Sequence, residues 1–172
     1  MPPARALLSS YCFAELLHGS RSLATVRWAA TLDRDTYPLL LSVVTIGEVA
    51  AEIARLPASD PRHGPYGRSF SALVDQFTRR DSVLDFTARC AKRWSELEAL
   101  DLPWRDPRGR ASGPTMPLPT AARQIAAQAL VADPPAALVA PMQPCYGTLA
   151  TIGLVVLDPS ERANEGGGRV ER

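Results

Sequence analysis

The chain has 172 residues, 46% of them hydrophobic and 22% charged, and its 19 Lys and Arg against 18 Asp and Glu leave a net charge of +1. That length suits one compact domain burying about two-thirds of the surface its unfolded chain exposes, and the near-neutral balance means that any contact with RNA would need a local basic patch. No apolar run approaches the roughly 20 residues that span a bilayer, and MPPARALLSSYCF is a poor secretory signal, so a cytoplasmic protein with no membrane association is expected. Cys12, Cys90 and Cys145 lack the pairing of a zinc site or a disulfide scaffold and read as free thiols.

RALLS (5–9) predicts a strand, and the helical pattern that starts near Ala14 ends at Gly19. Ser22 is placed to cap a second helix through about Leu32, with Leu23, Val26 and Ala30 on its inner face. LLLSVV (39–44) is a continuous, partly β-branched apolar run of the kind found in parallel sheets covered on both faces. Thr45 then has Glu48 three residues on, at capping-box spacing, in a helix that should turn Ile46, Val49, Ala50 and Ile53 inward and stop before Pro57. ASDPRHGPYG reads as a loop, and Phe70, Leu73, Val74 and Phe77 recur at helical spacing over 66–80.

VLDF (83–86) predicts a short strand, followed from about Thr87 by a helix bearing Cys90, Trp94 and Leu97. Trp28 and Trp94 read as core or interface aromatics, and Cys12 and Cys90 as small buried hydrophobes. Residues 103–119 are rich in Pro, Gly and Arg and predict a mobile surface connection, with the Arg residues of 105–110 solvated. TAARQIAAQAL (120–130) has strong helix propensity. ALVA (137–140) and LVVL (154–157) are the last predicted strands, within a single domain of residues 1–160 followed by a disordered tail, 161–172. Strands alternating with helices predict a three-layer α/β domain with a mainly parallel central sheet flanked by helices. Sites in such folds lie beyond the carboxyl ends of the strands.

Five segments in order resemble the VapC/FitB type of PIN domain. They are LLSSYCFAEL (7–16), LSVVTIGEVAAEIARLP (41–57), VLDFTARCAKRWSELEA (83–99), LPTAARQIAAQAL (118–130) and LVAPMQPCYGTLATIGLVVLDP (138–159). The resemblance implies a PIN-like fold, a Mg2+- or Mn2+-dependent RNA endonuclease acting as the toxin of a toxin–antitoxin pair, a homodimer and a cognate antitoxin. It also implies four acids. On this sequence they fall at Ser9, Glu48, Ala122 and Cys145, so Glu48 is the one catalytic and metal-binding carboxylate retained. The family's Thr-Arg-Asn turn stands here as Ala140, Pro141 and Met142, and its Asn near the first acid as Tyr11.

Clustered carboxylates matter because Mg2+ takes oxygen ligands in near-octahedral geometry and dehydrates reluctantly. Acids acting as a set lose nearly all their effect when several members go. A degenerate site with weak or absent Mg2+ binding and little cleavage is therefore expected, a pseudoenzyme that keeps its fold and its partner. Two other readings stand beside it: a non-catalytic module binding protein or RNA in a cleft relieved of negative charge, and an active ribonuclease drawing on displaced carboxylates such as Glu15, Glu52 or Asp133. Glu48 also has the simpler reading of a helix cap.

Overall fold

The computed structural model describes residues 5–32, 38–109 and 113–161. Five strands form one fully parallel sheet in the order β3-β2-β1-β6-β7, made of β1 (Ala6–Leu8), β2 (Leu39–Ser42), β3 (Val83–Leu84), β6 (Ala137–Val139) and β7 (Val156–Leu157). The helices are α1 (Ser10–His18), α2 (Ala24–Thr31), α3 (Val43–Ala54), α4 (His63–Arg79), α5 (Ala88–Glu98), α6 (Thr120–Val131) and α7 (Tyr146–Thr151). The three-layer α/β architecture matches the sequence reading.

Strand alternation explains why both faces of the sheet are covered. Leu7, Leu40 and Leu138 point to one side, where they pack with Leu97 of α5, Ile125 and Ala129 of α6 and Leu149 of α7. Their neighbours Leu8, Leu41 and Val139 point to the other, against Phe13 of α1, Trp28 of α2 and Val49 of α3. Phe13 makes edge-to-face contacts with Phe70 and Phe77, with ring centroids 6.2 and 6.4 Å apart, which fix α4 on that layer. A buried polar bridge ties the layers at the sheet's carboxyl edge. Gln128 of α6 accepts from the Ser42 hydroxyl and donates to the Leu84 and Asp85 carbonyls at 3.0 and 3.2 Å.

Several local expectations need correction. Ser42, not Thr45, caps α3: its hydroxyl accepts from the Val44 amide at 2.9 Å, so the strand stops at Ser42 and the valines begin the helix. Thr45 is buried within that helix. Ser22 does not cap α2, whose N-cap is Leu23 without a side-chain bond; its hydroxyl pairs instead with that of Ser20, and the buried face of the helix is Thr25, Trp28 and Ala29. Helix α1 begins at Ser10, under the Ser9 cap, and ends where expected, because Gly19 adopts φ +71°, a left-handed conformation that costs glycine little. Helix α4 begins at His63, inside the predicted loop. A short helix, α7, was not expected.

The connection over residues 103–119 departs most from expectation. Within it β4 (Pro103–Trp104) pairs antiparallel with β5 (Met116–Pro117), Leu118 is buried and Trp104 packs against the core. Of the predicted tail, Glu161 is described and residues 162–172 lie outside the described residues.

Candidate functional site

Strand β1 occupies the middle of the sheet, with β2 on one side and β6 on the other, so the chain reverses its direction of growth beside it. Such a switch point opens a crevice at the strands' carboxyl ends. A cleft of about 250 Å³ lies there, lined by residues that follow β1 (Ser9, Ser10, Tyr11), by Glu48 and Glu52 of α3, by Ala122, Ile125 and Ala126 of α6, and by Ala140, Pro141, Gln143 and Tyr146 after β6. Trp104, Asp106, Pro107 and Arg108 line it from the 103–109 segment.

Three of the four positions matched to family acids, Ser9, Glu48 and Ala122, therefore meet in one cleft. Ser9 sits at its floor as the N-cap of α1, its amide donating to the Val139 carbonyl at 3.0 Å and its hydroxyl accepting from the Cys12 amide at 3.3 Å. Glu48 projects from α3 and accepts from the Ser10 hydroxyl at 2.5 Å. This cross-element bond replaces the helix-cap reading: Glu48 lies in the second turn of α3 and holds α1 against it. Ala122 stands in the first turn of α6.

Cys145 does not join them. It is fully buried in the core cluster of α5, α6 and α7, and burial pushes its thiol up to about 11. The residue after it, Tyr146, lines the cleft. The carboxylate Asp158 is buried and used structurally, accepting from the amides of Met142 and Ser160 and from the Ser160 hydroxyl.

The proposed substitute acids are placed otherwise. Glu15 turns toward α2, accepting from the Thr25 amide at 3.1 Å. Asp133 is exposed in the loop after α6 and does not line the cleft. Glu52 does line it, but both its oxygens accept from the Arg108 guanidinium at 3.2 Å. Asp106 accepts from the Arg108 amide at 2.9 Å. Among the described residues no group of three or more His, Cys, Asp or Glu side chains is placed to hold a metal ion. Each of the three carboxylates that line the cleft is already engaged, Glu48 by the Ser10 hydroxyl, Glu52 by the Arg108 guanidinium and Asp106 by the Arg108 amide, and they do not match the clustered oxygen set that Mg2+ requires.

The Arg108 contact was missed in the sequence, where residues 105–110 read as solvated. So was Ser10, whose role depends on a partner 38 residues away. Burial raises the Tyr11 hydroxyl above its ordinary range, with Glu15 adding to the effect.

No family model matches the sequence, and no curated protein matches it. Solved structures do. A chain in the structure of FitAB bound to an IR36 DNA fragment superposes with a TM-score of 0.62 at 16% identity, covering 90% of this chain and 95% of that one. FitAcB from Neisseria gonorrhoeae gives 0.57 at 16% identity over 90% and 97%. VapBC2 from Rickettsia felis, bound to a DNA fragment from its promoter, gives 0.56 at 14% over 89% and 97%. At such identities the likeness is one of fold. The chain has the PIN-like α/β fold found in the FitAB and VapBC complexes.

Proposed function

We propose that this chain is a VapC/FitB-type toxin-family protein that keeps the fold and a partner-binding role but no longer cleaves RNA by a metal-dependent route. One observation carries the reading: Ser9, Glu48 and Ala122 line one cleft at the sheet's switch point, and a carboxylate stands at one of the three. A cognate antitoxin is the partner this reading assigns, and the neighbouring folds, solved as FitAB and VapBC complexes, support it. A homodimer and a cytoplasmic location belong to the same reading. Among the described residues no helix is long and apolar enough to cross a membrane.

RNA is the competing occupant of the cleft. Loss of acids removes repulsion of phosphate, and Trp104, Tyr11 and Tyr146 offer aromatic surface beside it. Neither occupant requires catalysis.

The test is an RNA cleavage assay on the purified protein across a Mg2+ and Mn2+ series, with Glu48→Ala as control. No metal-dependent cutting above the control is expected. Cutting that requires metal and disappears in Glu48→Ala would establish an active nuclease with other acids at work.

A further inference from the structure

The 103–109 arm, which lines the cleft, rises from a short ladder. β4 and β5 pair over two residues each, and proline occupies one position in each strand, so half of that ladder has no amide to donate. The Leu118 amide bonds the Leu102 carbonyl at 2.8 Å and anchors the base. Beyond the base, Trp104 packs against the core, and polar contacts at Arg105 and Arg108 are among those that tie the 103–109 arm to the domain. The Arg105 amide donates to Gln143 Oε1 at 3.0 Å, and the Arg108 guanidinium grips Glu52 of α3 in a two-pronged ion pair.

That pair is half exposed, 52% for Arg108 and 48% for Glu52, so water and salt screen it. Arg108, Glu52 and Tyr11 also line a second groove of about 500 Å³ that runs between α1 and α3 toward the start of α4. The ion pair and Tyr11 thus border both cleft and groove.

We infer that Glu52 and Arg108 form a salt-sensitive latch, which holds the 103–109 arm over the cleft and separates the cleft from the α1–α3 groove. Released, the arm lifts from Gln143 and the two spaces become one continuous trough. A screened pair of this kind shifts the closed-to-open ratio by about two- to fivefold. The latch depends on the geometry of these residues and is independent of what the cleft binds.

Hydrogen–deuterium exchange read by mass spectrometry on the full chain tests it, with the 63–79 peptide as internal reference. The peptide covering 103–109 should exchange about two to five times faster in Arg108→Gln and in Glu52→Gln, and faster in the unmodified protein as NaCl rises from about 50 to about 500 mM, which shortens the screening length from about 14 to about 4 Å. The charge-reversed double variant Glu52→Arg/Arg108→Glu should restore slow exchange, and salt should no longer act on either single variant. Unchanged exchange of 103–109 in Arg108→Gln overturns the latch. So does acceleration shared equally by the 63–79 reference, which would mean general loosening, or failure of the charge-reversed pair to restore protection.

Discussion

The Ser10 hydroxyl and the Glu48 carboxylate are joined by a 2.5 Å hydrogen bond across the interface of α1 and α3. It gives the one acid retained at the matched positions a structural partner, and the two residues should be energetically coupled. Ser10→Ala should destabilise the protein by about 1.5–3 kcal/mol, as expected for a bond to a charged acceptor. A double-mutant cycle with Glu48→Gln should return a coupling of about 1 kcal/mol by urea denaturation. Additive effects would show that the contact contributes nothing to stability.

Gln128 lies in the core with 1% exposure and serves three partners: the Ser42 hydroxyl and the backbone carbonyls of Leu84 and Asp85 at the end of β3. Gln128→Leu keeps the volume and leaves those groups unpaired. Each buried orphan costs about 1–3 kcal/mol, so a loss of about 3 kcal/mol or more in unfolding free energy is expected. Gln128→Glu should fare no better, because a carboxylate cannot donate to the two carbonyls.

Phe13 is fully buried and holds α4 through Phe70 and Phe77. Phe13→Ala should cost about 3–5 kcal/mol. Trimming either partner ring should cost less, since both are partly exposed.

All three cysteines are buried, and burial raises the Cys12 thiol to about 12 and that of Cys145 to about 11. Native protein should react with a thiol reagent at pH 8 far more slowly than unfolded protein, which should titrate three thiols. An unfolded thiol ionises near pH 8.5. Between there and the folded values the unfolded chain has released protons that the folded chain keeps, so folding stability is full below about pH 8.5 and falls as pH rises toward 11–12. Replacing Cys12 and Cys145 with Ala should flatten the fall in denaturation midpoint between pH 8 and 10.

The architecture was legible because buried parallel strands and amphipathic helices write themselves as periodic apolar patterns. LLLSVV was misdivided because nothing in β-branched valines signals that Ser42 will cap them into a helix; the cap's local bond outweighed their strand preference. Residues 103–119 read as open loop because proline and glycine are scored as breakers, while the contacts that order the segment, Arg105 to Gln143 and Arg108 to Glu52, span 38 and 56 positions. The site was legible in part. Flanking leucines and the Ile-Ala-Ala run anchored Ser9 and Ala122, and both line the cleft with Glu48, whereas Cys145 had no such anchor and lies in the core instead.

On the proposed reading, this cleft is a metal site short of its acids. Restoring two of them, Ser9→Asp with Ala122→Asp, would put three carboxylates beside one another with Glu48; Cys145→Asp is left out because that position is buried away from the cleft. Isothermal titration with Mn2+ tests this directly. The unmodified protein should show no saturable binding at millimolar metal, while the double variant should gain at least about tenfold in affinity, more than 1.4 kcal/mol, and lose it again on adding Glu48→Ala. Tight binding by the unmodified protein, or a folded double variant that gains nothing, would contradict the account.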